Sequence, residues 1–230
     1  MSEPCAALVT GASSGIGAAA CRRLREEGWH VIGVARRPSP EASQSLCLDI
    51  TRFGDVVEAF QSVPKLRLVV HAAATIGPVA ALPASDPDDW RRAVEVNFLG
   101  TYNVLRAALA GPLAPDGALA IHLTSGAASV AKPYWSAYSA SKAGAEHLIR
   151  SAAVDVEGTP LGICSLDPGI TETPMQEELR GRDFPDRDRF VRVYEERSGR
   201  TPEEVAEAIS VLSQREPSTL NGQTFRVGAL

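Results

Sequence analysis

"TGASSGIG", residues 10–17, follows the apolar run "AALV" (6–9) and opens a stretch with helical spacing. A glycine inside a regular element costs about 0.5–1 kcal/mol relative to alanine, so Gly11, Gly15 and Gly17 need a physical reason. The turn is either only tight, or it holds a phosphate at a helix N-terminus, where free N–H groups and the helix dipole favour an anion. Glycine spacings of this kind also match by chance, so the turn alone leaves both interpretations open.

Apolar runs of strand type alternate with stretches of helical spacing along the whole chain. The predicted strands are "AALV" (6–9), "HVIGVA" (30–35), "LRLVVHAA" (66–73), "ALAIHLT" (118–124), "LGICSLD" (161–167) and "QTFRV" (223–227). The predicted helices cover 15–28, 86–111, 136–158 and 201–214, and the second is long enough for one extended or slightly broken helix. This alternation predicts one α/β domain over 1–230, with a Rossmann-type doubly wound parallel sheet and helices on both faces.

The least regular stretch is 170–200, which is charged and holds two prolines. It is either a solvated surface loop or a loop that closes over a substrate. Four of its side chains either pack on an apolar substrate or pack on the protein itself, namely Phe184, Phe190, Val191 and Tyr194.

Composition and charge exclude several classes of protein. The 230 residues are 44% hydrophobic and 22% charged, which is typical of a soluble globular protein, and the formal net charge of −5 argues against a nucleic-acid partner. The start has no charged segment followed by an apolar one, and no run of about 18 apolar residues occurs, so we expect neither a signal peptide nor a membrane span. The four cysteines lack CxxC or metal-ligand spacing, which favours reduced thiols in a cytoplasmic protein without a metal.

A second motif, "YSASK" (138–142), decides the interpretation of the glycines. Tyr138 and Lys142 are four residues apart and so project from one helix face, and Ser125 ends the preceding strand-like run. With the glycine turn upstream, the chain resembles the short-chain dehydrogenase/reductase family in its single-domain form. The resemblance runs over nearly the whole length and includes "LDIT" (48–51), "VNFLGT" (96–101), "DPG" (167–169) and "TPEEVA" (201–206).

The resemblance implies hydride exchange between a nicotinamide and a carbonyl carbon. Tyr138 would donate a proton to the nascent alkoxide, and Ser125 would orient the carbonyl oxygen. A phenol has an ordinary pKa near 10, and we expect the Lys142 ammonium to lower it. Lys142 would also hold the nicotinamide ribose, and Asn97 would organise a proton relay around that lysine.

The resemblance also implies which residues hold the cofactor. They are Gly11, Ser13, Ser14, Gly15, Ile16, Gly17, Arg36, Arg37, Asp49, Ile50, Ala72, Ala73, Asn97, Tyr138, Lys142, Pro168, Gly169, Ile170 and Thr173. In "HAAA" (71–74), His71 and Ala74 depart from the Asn and Gly that the family carries there, and we expect His71 to be structural rather than catalytic.

The end of the second predicted strand indicates NADP(H). Family members that use NAD carry an acidic residue there, which accepts hydrogen bonds from the ribose. This chain has Ala35 at that place, eighteen residues after Gly17, followed by Arg36 and Arg37. The two arginines are either part of a solvated loop or partners for a 2′-phosphate, and the absence of the acid favours the second interpretation.

These observations lead to the hypothesis of an NADPH-dependent carbonyl reductase acting on a small-molecule ketone or diketone. "VIGVARR" and "DPGITETPMQEELR" resemble the sepiapterin reductase and benzil reductase branch, which implies dicarbonyl substrates. Two alternatives stay open: an oxidative alcohol or steroid dehydrogenase, and a regulator that binds NADP(H) without catalysis. The resemblance further implies a homodimer or homotetramer, formed through the helices near 90–111 and 136–158.

Overall fold

The structure, a computed structural model, describes residues 5–63, 65–111, 113–114 and 116–229. Within them, seven parallel strands form one sheet in the order β3-β2-β1-β4-β5-β6-β7. The strands are β1 (Ala6–Thr10), β2 (His30–Ala35), β3 (Gln44–Cys47), β4 (Leu66–His71), β5 (Ala118–Leu123), β6 (Leu161–Asp167) and β7 (Thr224–Arg226). The strand order reverses between β1 and β4, which is where open α/β sheets bind their ligands. The predicted Rossmann-type sheet is confirmed.

Helices cover both faces of this sheet. They are α1 (Gly15–Glu26), α2 (Phe53–Gln61), α3 (Pro87–Val94), α4 (Gly100–Ala110), α5 (Ser136–Asp155), α6 (Pro174–Arg180), α7 (Arg187–Glu195), α8 (Pro202–Ser213) and α9 (Pro217–Leu220). Successive strand residues point to opposite faces, so each strand contributes side chains to a hydrophobic core on either face of the sheet. Val9 packs with Leu24 of α1 and Ile209 of α8, whereas Leu8 packs with the helices of the other face, such as α5 through Ile149.

Two helices begin at capping side chains, at the starts predicted for them. Asp86 accepts hydrogen bonds from the N–H groups of Asp88 (2.9 Å) and Asp89 (3.0 Å) at the start of α3. Thr201 and Glu204 form a reciprocal capping box at the start of α8. No helix in the described part of the chain is long and apolar enough to span a membrane.

The structure refines the predicted elements in three places. The region 86–111, predicted as one extended or slightly broken helix, is broken by a π-helical turn (Glu95–Leu99) between α3 and α4. The segment 170–200 is not the least regular part of the chain, because it contains α6 and α7. Strand β3 and helix α2 went unpredicted, since three of the four residues of β3 are exposed at the sheet edge and show no apolar run.

Candidate active site

A cavity of 880 Å³ opens where the carboxyl ends of the central strands meet. After the roles that the sequence assigns, we call the part at the glycine turn after β1 and the end of β2 the nucleotide end, and the part at Ser125, Tyr138 and Lys142 the catalytic end. Every residue that the sequence assigned to the cofactor or to catalysis lines this cavity, with the exception of Asn97. Residues that are separated by more than a hundred positions in the chain therefore share one site.

The glycine turn is built from backbone that approaches other backbone. Gly11 has φ +68° and Gly15 has φ +53°, the left-handed region in which side chains are strained. A Cβ on Gly11 would lie 2.8 Å from the nitrogen of Ala73, and a Cβ on Gly17 would lie 2.6 Å from the carbonyl carbon of Gly11. The glycines are thus required by the packing of the turn itself, apart from any ligand.

The start of α1 has the properties of an anion site. Ser14 precedes it without any side-chain cap, and the first turn carries no acidic residue, so its N–H groups face the cavity without an anionic partner. By contrast, α3 and α8 begin with caps and with acidic residues in the first turn. Arg36 and Arg37 line the same end and form no ion pair within the described residues. A dinucleotide that carries phosphates fits the residues present.

An ion pair closes the nucleotide end on the side of β3. Asp49 accepts hydrogen bonds from the N–H (2.9 Å) and hydroxyl (2.8 Å) of Thr51, and Arg92 of α3 donates to it at 2.6 Å. Although partial burial opposes them, these partners hold the pKa of Asp49 below its ordinary value. Arg92 lines the cavity but was missed from the sequence, where it appears as an ordinary charged residue on a helix.

Tyr138 lies in a buried aromatic environment at the catalytic end. Its ring meets the Trp135 indole edge-on, with the ring centroids 5.7 Å apart. Burial raises the pKa of Tyr138 to about 12, hydrogen bonding to Ser125 opposes the rise, and the charge of Asp167 adds to it. For the protein on its own, burial is therefore the dominant influence on this pKa, and the lowering expected from Lys142 is not seen.

Lys142 is buried beside the tyrosine on α5. Its Nζ donates a hydrogen bond to the carbonyl oxygen of Leu123 at 2.7 Å, which fixes the ammonium at the end of β5. Burial lowers the pKa of Lys142 to about 8, and the Glu146 carboxylate one turn further along partly opposes this. The lysine thus keeps its charge at neutral pH and loses it as the pH rises through about 8.

Asn97 lies behind the cavity wall in the π-helical turn and is fully buried. Its Oδ1 accepts from the N–H of Thr75, and its Nδ2 donates to the carbonyl of Thr75, both at 2.8 Å. Nδ2 also donates to the Ser141 hydroxyl at 3.1 Å. The side chain thus ties the turn after β4 to α5, and its backbone carbonyl accepts a hydrogen bond from Thr101 at 2.7 Å.

The segment 170–200 forms one apolar wall of the catalytic end. Phe184 and Phe190 are 4% and 6% exposed and pack against Trp135, with ring centroids 6.1 Å and 5.5 Å from it. These two phenylalanines therefore pack on the protein, although Phe190 also lines the cavity. Tyr194 is exposed, and its ring lies 4.1 Å from the guanidinium carbon of Arg180.

Comparison with known proteins gives the family. The short chain dehydrogenase family model matches residues 5–183. Cis-4-hydroxycyclohexanecarboxylate dehydrogenase of Sinomonas cyclohexanicum is 32% identical over 241 residues, covering 97% of this chain and 92% of that protein. The 3-hydroxyacyl-CoA dehydrogenase type-2 of Drosophila melanogaster is 31% identical over 253 residues, covering 97% and 96%.

A solved structure agrees with this likeness over the whole sheet. The ligand-free aldohexose dehydrogenase of Thermoplasma acidophilum superposes with a TM-score of 0.86 at 26% identity, covering 99% of this chain and 94% of that one. The family model, the sequence relatives and the structural superposition agree. The chain belongs to the short-chain dehydrogenase/reductase family of oxidoreductases.

Proposed function

We propose that the chain is an NADPH-dependent carbonyl reductase in which Tyr138 is the general acid. One observation carries this proposal: a single cavity joins an uncapped helix N-terminus and two arginines at one end to Ser125, Tyr138 and Lys142 at the other. Both curated relatives described above are named as dehydrogenases of hydroxy compounds, which is the same chemistry read in the oxidative direction.

In this proposal the cofactor supplies the hydride when it is bound, and the chain handles one proton. Ser125, at the end of β5, donates a hydrogen bond to the carbonyl oxygen of the substrate and orients it. The raised pKa of Tyr138, about 12, keeps its phenol protonated at neutral pH, which is the state that reduction requires. The buried Lys142 ammonium stabilises the negative charge that develops on the phenol oxygen as its proton leaves.

The preference for NADPH is supported by charge at the end of β2. Ala35 offers no carboxylate to the ribose hydroxyls, and none of the residues that follow it directly would repel a 2′-phosphate. Arg36 and Arg37 present guanidinium groups, which bind phosphate through two parallel hydrogen bonds. We assign the main phosphate contact to Arg36 and a secondary one to Arg37.

The test is the loss of nicotinamide absorbance with NADPH, and separately with NADH, across diketones, quinones, aldehydes and pterins. We expect turnover with NADPH on a ketone or diketone. Tyr138→Phe, assayed alongside, should lose about 10²–10⁴-fold in kcat, which is the contribution typical of one general acid. Turnover by that variant at the wild-type rate would refute the role of Tyr138.

The same assay separates the two alternatives. Oxidation of secondary alcohols by NADP⁺, without reduction of any carbonyl in the panel, would replace the reductase with an oxidative dehydrogenase. Tight binding of NADPH with no turnover in either direction would replace it with a non-catalytic NADP(H)-binding protein.

A further inference from the structure

A row of buried polar side chains crosses the sheet at the carboxyl ends of its strands. The register pairs Thr10 of β1 with His71 of β4, His71 with His122 of β5, and His122 with Ser165 of β6. All four side chains are at most 5% exposed. Burying a polar group without a hydrogen bond costs free energy of folding. The hydrogen-bond partners of these side chains therefore indicate what the side chains do. His71 has a hydrogen-bond partner at each of its ring nitrogens.

These partners form one hydrogen-bond chain with a fixed direction. The N–H of Ala73 donates to Thr10 Oγ1 (3.2 Å), which lies 2.7 Å from His71 Nδ1. On the other side, His71 Nε2 lies 3.0 Å from Thr101 Oγ1, which donates to the carbonyl of Asn97 at 2.7 Å. An N–H only donates, a carbonyl only accepts, and each hydroxyl has one hydrogen. Nε2 therefore carries a hydrogen, and in the neutral imidazole Nδ1 accepts from the Thr10 hydroxyl.

The surroundings of His71 keep it in that neutral form. Burial, and then the Lys142 ammonium, lower the pKa of His71 to about 3. The ring of His122 stacks on it with centroids 5.5 Å apart, and the pKa of His122 is also far below its ordinary value. Thr10 and Thr101 are uncharged. Since a second ring proton would leave the Thr10 hydroxyl hydrogen without an acceptor, protonation would break the chain.

One end of the hydrogen-bond chain lies in the cavity wall, and the other lies behind that wall in the π-helical turn. Ala73 lies in the wall at the nucleotide end, where its backbone is the surface on which the Gly11 turn packs. Asn97 holds the turn after β4 through its paired hydrogen bonds to Thr75. We propose that His71 is a positioning residue that holds the Ala73 backbone and the Asn97 carbonyl in register through this chain. The inference rests on the proposed function, because it assigns these two groups to one reaction.

The hydrogen-bond chain can be interrupted by substitution on either side of His71. Thr101→Val keeps the shape and removes the link to Asn97, so we expect kcat to fall about tenfold while the dissociation constant of NADPH stays within about twofold. Thr10→Val frees the Ala73 backbone, so it should weaken NADPH about tenfold with a smaller effect on kcat. His71→Phe should show both losses. A residue that only filled the core would lower the melting temperature without dividing the effects in this way.

Two conservative variants should each restore half of the chain. His71→Gln places an amide N–H at the level of Nε2 and keeps the bond to Thr101, so its kcat should exceed that of His71→Phe. His71→Asn places an oxygen at the level of Nδ1 and keeps the bond to Thr10, so its NADPH affinity should recover instead. The matched control is His122→Phe, because His122 lies in the same layer and its ring nitrogens have no partner within the described residues.

A spectroscopic measurement tests the tautomer without any turnover. Nitrogen-15 NMR of histidine-labelled protein should assign His71 as the Nε2–H form and show no titration of it between about pH 5 and pH 8, where an ordinary histidine changes charge. An Nδ1–H tautomer, or equal effects of all five variants and the His122→Phe control, would overturn the inference. If the wild type reduces no carbonyl, the proposed function fails. The positioning role of His71 is then still decided by its tautomer and by the NADPH affinities of Thr10→Val and Thr101→Val.

Discussion

The nucleotide end and the catalytic end of the cavity are built from different parts of the chain. The nucleotide end is mostly backbone, a turn whose Gly11 and Gly15 have positive φ and lead into the uncapped start of α1. The catalytic end consists of buried side chains, with Tyr138 against Trp135 and Lys142 on the carbonyl of Leu123. A backbone conformation that only glycine tolerates can be recognised from the glycines in the sequence. The environment of a buried side chain cannot be recognised in this way, because it depends on elements that are distant in the sequence.

The largest effect on stability is expected at the aromatic wall of the catalytic end. Trp135 is 7% exposed and contacts Tyr138, Phe184 and Phe190. Trp135→Ala should lower the free energy of unfolding by about 3–5 kcal/mol, as is typical for truncating a buried aromatic ring. Denaturant titration measures this loss, and the folded fraction should bind NADPH with nearly unchanged affinity, because the nucleotide end does not use this residue.

The exposed Tyr194 on α7 provides the control for that experiment. Its side chain is 54% exposed, so Tyr194→Ala should change the free energy of unfolding by less than about 1 kcal/mol. Equal destabilisation by the two variants would mean that the aromatic wall is not a packed core. A large loss of NADPH affinity in Trp135→Ala would instead remove the distinction between the two ends.

At the nucleotide end, the informative substitution is one that displaces the backbone of the glycine turn. Gly17→Ala would bring a Cβ within 2.6 Å of the Gly11 carbonyl carbon, which neither backbone can avoid without moving. Such overpacking costs about 1–3 kcal/mol, and we expect NADPH affinity to fall at least tenfold because the turn itself is displaced. Gly54→Ala on α2, where a Cβ meets nothing within 4 Å, is the matched control. Full NADPH affinity in Gly17→Ala would contradict the close packing of the turn.

The proposed preference for NADPH is expected to depend on one guanidinium. Arg36→Ala should weaken NADPH about 10- to 150-fold and leave NADH unchanged, since a charge-assisted hydrogen bond to phosphate contributes roughly 1.5–3 kcal/mol. Fluorescence titration with each cofactor measures the two affinities. Arg52→Ala serves as the control, because Arg52 is exposed outside the cavity and pairs with Asp55. Equal losses for NADPH and NADH would show that Arg36 does not recognise the 2′-phosphate.

The smallest effect is a dependence on pH at the catalytic end. Because burial lowers the pKa of Lys142 to about 8, its ammonium is present below that pH and is lost as the pH rises through it. The kcat/KM for NADPH, which reports on the free enzyme, should therefore be level below about pH 7 and fall above about pH 8. Lys142→Arg keeps its charge to much higher pH and should remove the fall. An unchanged midpoint in that variant would assign the pH dependence to another group.

The parts of the fold that the sequence predicted correctly are those with local causes. Five of the six predicted strands are apolar runs that are largely buried in the sheet, and the predicted starts of α3 and α8 coincide with the capping side chains Asp86 and Thr201. Strand β3 was missed because its position at the edge leaves most of it exposed. The π-helical turn at Glu95–Leu99 has no local sequence pattern that distinguishes it from a regular helix.

In the candidate site, too, some features could be predicted from the sequence and others could not. The family motifs named the residues that line the cavity, yet they gave neither the pairing of Arg92 with Asp49 nor the burial that raises the pKa of Tyr138. Both features arise from contacts between elements far apart in the chain. The hydrogen bonds of His71 are a further case, because they join β1, β4 and α4, and a lone histidine in the sequence names none of these partners.

The central claim is that the two ends of the cavity act together, with hydride leaving a cofactor held by the glycine turn and a proton leaving Tyr138. The most direct test uses NADPH deuterated on one face at C4 of the nicotinamide and the best carbonyl substrate of the panel, with the alcohol analysed by mass spectrometry. We predict one deuterium on the alcohol carbon from one of the two labelled forms and none from the other. An alcohol free of cofactor deuterium with both forms would contradict the account.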